Sequence, residues 1–211
     1  MSTSVYYNDK ALRYGIADTR LHAILSLFKN VHNKKILDVG CATGYVGEKL
    51  RAQGNYVYGT DISKKAIQKA KKVLDKAFVC NIEEDQIPLK EKVDYIILAE
   101  VIEHLFYSKK TVKKLYTLLQ PGGTLIISTP NIMYWGHRLR FLKGNFSYSD
   151  QGVFDESHVH FFSHFTLQSL LKDSGFKTVS AHHIAASPLS SGLLSLFPGV
   201  FAYHLLFEAK K

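Results

Sequence analysis

Apolar residues along this chain recur with two periods. Short solid runs at 36–39 (Ile36, Leu37, Val39), 55–60, 77–80, 93–99 and 124–129 are too brief for helices and suit strands buried on both faces. Between them the spacing is helical. Leu21, Ile24, Leu25 and Phe28 predict an amphipathic helix before the first strand. Ala66, Ile67, Ala70 and Leu74 mark a helix over 63–76, and Val112, Leu115, Tyr116 and Leu119 mark one over 109–119. Pro121, Gly122 and Gly123 close the latter, because proline cannot continue the ladder and glycine allows the reversal. A helix over 166–174 ends at Gly175, and strands are expected at 176–184 and 200–209. Strand–helix alternation of this kind predicts an α/β fold with a mostly parallel sheet.

Two stretches break the alternation. Residues 131–162 mix Met133, Tyr134, Trp135, Phe141, Phe146, Tyr148 and Phe154 with His137, Arg138, Arg140 and Lys143. Long insertions in compact domains are usually functional, and the aromatics argue against disorder, so this stretch reads as a lid over an acceptor site. Residues 184–207 carry no Asp, Glu, Lys or Arg, yet Pro188, Gly192, Pro198, Gly199 and His204 oppose a continuous membrane-spanning helix. Peripheral contact of 189–197 with a lipid surface, an apolar acceptor or a second copy stays open, and the sequence does not fix an oligomeric state.

The 211 residues, 46% of them hydrophobic, fit a single domain over 1–211, with an N-terminal helix and arm at 1–33 (Tyr6, Tyr7, Arg13, Tyr14). Cys41 and Cys80 form no disulfide framework, and residues 1–10 have no apolar core for a signal peptide, so a cytoplasmic location is expected. The net charge of +9 lies largely on lysines at 64–76 and 109–114. On predicted helices these read as a solvated outer face, which disfavours nucleic acid as a partner.

The candidate chemistry starts at 35–50, KILDVGCATGYVGEKL. A strand breaks at Gly40, small residues follow, and Tyr45 re-enters a helix. Such a turn puts free backbone N–H groups at the top of a sheet, where open α/β folds bind ligands. Asp38-x-Gly40-x-Ala42-x-Gly44 resembles motif I of the class I S-adenosylmethionine (SAM) methyltransferases. Alanine at 42, where many members have glycine, costs little if its φ stays negative. The dinucleotide fingerprint fails at Ala42 and Tyr45, which disfavours a dehydrogenase. The Leu-x-Pro-Gly-Gly run at 119–123, Thr129-Pro130-Asn131, and His158-x-His160-Phe161-Phe162 extend the resemblance to UbiG-like and MetW-like small-molecule methyltransferases.

The resemblance implies a three-layer Rossmann-like sandwich. Its seven-stranded sheet has the order 3-2-1-4-5-7-6 with strand 7 antiparallel. It implies SAM as cofactor, S-adenosylhomocysteine as product, and cofactor contacts at Asp38, Gly40, Cys41, Ala42, Thr43, Gly44, Tyr45, Asp61, Ile62, Asn81, Ile82, Ala99 and Glu100. Asp61 follows Gly40 at the interval of a ribose-binding acid; the competing reading is a helix N-cap, for which Ser63 is also suited. Asn81 stands where members usually carry an acid toward the adenine amino group, and its carbonyl can still accept.

Glu100, Glu103 and His104 would share one face if Glu100 begins a helical turn. Two readings are open. The three, completed by His158, bind a divalent metal that acidifies an acceptor hydroxyl; or the site is metal-free, His104 is the general base, and Glu103 fixes its tautomer. The expected acceptor is a small-molecule oxygen on an apolar or anionic substrate. An RNA methyltransferase and a non-catalytic SAM-binding module are the alternatives.

Overall fold

The computed structural model describes residues 19–150, 152–186, 192 and 196–211. The N-terminal arm expected at Tyr6, Tyr7, Arg13 and Tyr14 lies outside the described residues, as do Pro188 and most of 189–195. Helix α1 (Thr19–Leu27) is followed by β1 (Lys35–Val39), α2 (Tyr45–Ala52), β2 (Tyr56–Asp61), α3 (Lys64–Ala70), β3 (Lys76–Val79) and β4 (Val93–Ala99). A 3-10 turn (Ile102–His104) leads to α4 (Ser108–Leu118), β5 (Leu119–Pro130), α5 (Trp135–Leu142), α6 (His164–Asp173), β6 (Thr178–Ala181), β7 (Ile184–Ala185), α7 (Pro198–Phe201) and β8 (Ala202–Lys210).

Strands with apolar residues at successive positions must be covered on both sides, and they are. Ile36, Ile97, Ile126 and Leu206 enter one core with Ile24 and Phe28 of the α1 region and Leu50 of α2. Their neighbours Leu37, Ile96, Ile127 and Phe207 enter the other, with Val112 and Leu115 of α4 and Leu167 and Leu171 of α6. The sheet order is β3-β2-β1-β4-β5-β8-β6, with β8 antiparallel to both neighbours. This is the expected three-layer arrangement.

Three boundaries differ from the expectation. The strand expected over 176–184 is two pieces, β6 and the short β7, both on β8. Between them the Leu206 amide donates to the side chain of His183 (Nδ1, 3.1 Å), so an imidazole replaces a backbone carbonyl in the ladder. Strand β5 begins at Leu119, passes an irregularity at Pro121-Gly122-Gly123 and resumes at Thr124. The 131–162 insertion holds helix α5 and is closed at its base by a bridge between Asn131 and Phe162.

Candidate active site

The C-terminal ends of β1, β2 and β4 open onto a cavity of about 680 Å³, within the range of small-molecule sites. Gly40, at φ +74, leaves β1 where an added Cβ would lie 2.3 Å from Val101 Cγ2, so any side chain there would be strained and would force Val101 to move. Ala42 stands at φ +47, in the left-handed region. The condition under which alanine costs little, a negative φ, is therefore not met: the β1–α2 loop imposes the glycine-like conformation on alanine. Gly44, at φ +89, begins α2 and faces Val73, Leu74 and Ala70 rather than the cavity. Packing against these side chains accounts for the glycine at this position.

Asp61 ends β2 and lines the cavity. Its Oδ2 accepts from the Ala42 amide at 2.9 Å and its Oδ1 from the Ser63 amide at 2.8 Å. The N-cap task falls to Ser63, whose hydroxyl accepts from the Ala66 amide. Asp61 instead ties the two loops together, with further lone pairs available to a ligand. Burial raises its pKa, against the lowering by these amides. Asp38 lines the cavity too, and burial together with the Asp61 charge lifts it to about 7. Cys41, Ala42, Thr43, Tyr45, Ile62, Asn81, Ile82, Ala99 and Glu100 all line the same space. Glu83 also lines it, and its carboxylate caps the entry to α4 by accepting from the Phe106 and Tyr107 amides.

At the far side, Glu100 leaves β4 at φ +54, its amide donating to Ser128 O at 3.0 Å. Its carboxylate is occupied: Arg20 Nη1 donates at 2.9 Å, the Ser128 hydroxyl donates at 2.8 Å, and His204 Nδ1 lies 3.2 Å away. Burial alone would raise its pKa, but His204, Arg20 and Ser128 outweigh burial and hold it at about 2. Glu100 therefore begins no helical turn and stays out of the expected metal set. Ligand atoms of Glu103, His104 and His158 do converge, all within 4.8 Å of one another. Glu103 is 2% exposed and accepts from the Thr129 hydroxyl at 3.0 Å. Burial and the Glu100 charge push its pKa well up. His104 lines the cavity, whereas Glu103 and His158 stand behind it. His104 Nδ1 lies 3.1 Å from the Ser157 carbonyl, and His158 Nδ1 lies 2.9 Å from the Val153 carbonyl. Carbonyls only accept, so both rings carry hydrogen on Nδ1 and the lone pair on Nε2. The tautomer-fixing task that the sequence assigned to Glu103 is performed at Nδ1 by Ser157.

The far arm of the insertion reaches the cavity through Glu156, Ser157 and Val159. The Val159 and His160 amides both donate to Glu103 O. The insertion's arginines point elsewhere: Arg138 Nε donates to Met133 O, and the Arg140 guanidinium lies 4.9 Å from the Phe154 ring centre. His137 stacks on Tyr134 and Phe154. These contacts engage all three within the insertion itself.

A family model described as a methyltransferase domain matches residues 10–181. The chain belongs to this methyltransferase domain family. Over 174 residues the domain is 30% identical to the mitochondrial ubiquinone biosynthesis O-methyltransferase of Mus musculus, taking in 77% of this chain and 46% of the relative. Over 105 residues it is 33% identical to the ubiquinone biosynthesis O-methyltransferase of Acinetobacter baylyi, with 46% and 44% covered. The chain thus spans about half the length of the curated relatives it matches. A SAM-dependent methyltransferase from Archaeoglobus fulgidus has the same fold, with a TM-score of 0.71 at 17% identity over 100% of both chains. So does magnesium protoporphyrin IX methyltransferase from Synechocystis PCC 6803, solved with bound S-adenosylhomocysteine, with a TM-score of 0.69 at 16% identity over 99% of this chain and 97% of that one.

The methyltransferase domain also uses residues that sequence reasoning missed. Arg20 of α1 lines the cavity, and only its place on a helix ahead of motif I hinted at it. Glu156 and Ser157 lie inside an insertion whose aromatics drew attention away from its polar turn. Among the described residues no helix is long and apolar enough to cross a membrane.

Proposed function

We propose that this domain uses SAM to methylate an oxygen of a small-molecule acceptor. The observation that carries the reading is one cavity joining the motif I loop and Asp61 to Glu100 and His104. SAM bound there supplies a positively charged sulfonium whose methyl group a nucleophile displaces in line. Asp61, its plane fixed by two amides, would accept the ribose hydroxyls. Asn81 and Ile82 would wall the adenine, and Arg20 would face the amino-acid end, where a ligand carboxylate competes with Glu100 for it. His104 would take the acceptor's proton through Nε2 while the insertion arm excludes water. The rest of the catalysis is alignment. The relatives' names support oxygen as the methylated atom. The internal engagement of Arg138 and Arg140 favours an apolar acceptor over an anionic one. The buried free thiols Cys41 and Cys80 favour a reducing, cytoplasmic setting.

The convergence of Glu103, His104 and His158 supports a second reading. One carboxylate and two imidazoles with Nε2 lone pairs suit Mn²⁺, Fe²⁺ or Zn²⁺. A divalent cation held there would acidify an acceptor hydroxyl, and Glu103 would have to give up its proton to bind it. Calorimetry with SAM and S-adenosylhomocysteine, in EDTA and then with each cation, tests both. Micromolar binding of both ligands in EDTA is the expected result. Failure of both to bind overturns the cofactor assignment. Cation binding that disappears in Glu103→Ala selects the metal-assisted route.

A further inference from the structure

Asp155 is a carboxylate only 1% exposed, in a turn that no motif singles out. Its Oδ1 accepts from the Ser157 amide at 2.9 Å and from the Ser157 hydroxyl at 2.5 Å. A hydroxyl has one hydrogen, and here a carboxylate has claimed it. Ser157 Oγ also lies 3.1 Å from His104 Nδ1, and so it can only accept there, as the Ser157 carbonyl does. With Nδ1 unprotonated, the ring would meet lone pairs from both oxygens.

We propose that Asp155 is a positioning residue: it captures the Ser157 hydroxyl proton and thereby locks His104, 51 residues away in sequence and on another element, in the Nδ1–H tautomer. The lone pair is then on Nε2, as either a general base or a cation ligand requires. The inference rests on His104's proposed role only for its consequence in catalysis. The insertion would thus do more than cover the acceptor, since its buried acid selects which nitrogen of His104 reacts.

The test is the ¹H–¹⁵N long-range spectrum of ¹⁵N-histidine-labelled protein without ligand, at a pH where the rings are neutral, with His104 assigned through His104→Gln. Wild type should show Nδ1–H. Asp155→Ala releases the hydroxyl, which can then donate to Nδ1, so part of the population should move to Nε2–H. Ser157→Ala keeps the carbonyl and should stay Nδ1–H. The double variant Asp155→Ala/Ser157→Ala should return to the wild-type pattern, a suppression that loss of a merely structural turn would not give. If Asp155→Ala does not fold, Asp155→Leu serves, because it fills a similar space, offers no acceptor and so frees the same hydrogen. Turnover in Asp155→Ala should fall by roughly 10- to 100-fold, the usual scale for losing such a supporting partner, with SAM affinity kept. Nε2–H in wild type, or no tautomer change in either Asp155 variant, overturns the inference. The spectrum needs neither SAM nor an acceptor, so that outcome is separate from a failure of the proposed activity.

Discussion

The two ends of the cavity are built from different materials. At the cofactor end the joins are short in sequence and made by backbone and carboxylate. The Gly40 and Cys41 amides donate to Thr60 O, and Asp61 holds the Ala42 amide across 19 residues. At the acceptor end the joins are long and made by histidines. His104 reaches Ser157 across 53 residues, and His160 reaches Phe106 O across 54. On the proposed function, the frame of amides and carboxylates would hold a ligand common to a whole family, and the imidazoles would shape a wall that suits one acceptor and takes its proton.

The largest effect that separates the two ends should come from Asp61→Ala. It removes a carboxylate proposed to accept two ribose hydrogen bonds, each charge-assisted and contributing about 1.5–3 kcal/mol, so the Kd for SAM should rise on the order of 100-fold or more. His104→Gln, on the other side, should leave that Kd nearly unchanged while turnover is lost. Calorimetry on both variants makes the comparison, and equal losses of SAM affinity would collapse the distinction.

A second contrast is the response to acid. Burial and the neighbouring His164 hold His183 at about 4, below its ordinary 6.5. It resists protonation in the fold, so its contribution to stability is complete above pH 6.5 and is lost as pH falls toward 4. Asp38 has the opposite sign. Its pKa of about 7 in the fold, against 3.8 unfolded, makes the folded state the better proton binder, so stability is lost as pH rises from 4 to 7. Each contributes a slope of up to about 1.4 kcal/mol per pH unit, and in wild type the two offset each other between pH 4 and 6.5. Urea unfolding across that range should therefore gain a positive slope with pH in Asp38→Asn and a negative one in His183→Phe. Unchanged slopes in both would show that Asp38 and His183 do not titrate as their surroundings require.

The same division decided what the sequence revealed. The strands and helices follow from apolar runs and helical spacing, because those patterns are local, whereas the sheet order follows only from the resemblance to the family. Motif I and Asp61 are visible as a strand–glycine–helix turn and an acid at the next strand end, whereas Asn81 is singled out only by the resemblance to the family. Glu100 misled because its spacing to Glu103 and His104 matches a helix, whereas Arg20, Ser128 and His204, all distant in sequence, draw it into another network. His158 was found through a family pattern. Asp155 and Ser157 were not, since a buried acid whose partner lies across an insertion leaves no periodic trace. The division of 176–184 into two strands was likewise invisible, because it depends on His183 turning in to meet Leu206.

The smallest effect compares one strained residue from each side of the cavity. Ala42 and Glu100 share a left-handed backbone, at φ +47 and +54. The strain costs each about 1–2 kcal/mol, but only at Glu100 does a side chain give something back, through Arg20, Ser128 and His204. Ala42 has only a methyl group to offer. Ala42→Gly should therefore stabilise the domain, by at most about 1 kcal/mol once the greater freedom of glycine in the unfolded chain is subtracted. For a domain of this size that is a rise in Tm of roughly 2–4 °C, with SAM affinity kept because the Ala42 amide still donates to Asp61. Glu100→Gly relieves the same strain and should nonetheless lower Tm, because Arg20 and His204 lose the buried carboxylate between them. A rise in both variants would mean that the Glu100 network contributes nothing to the fold, and that its strained backbone is kept for the ligand alone.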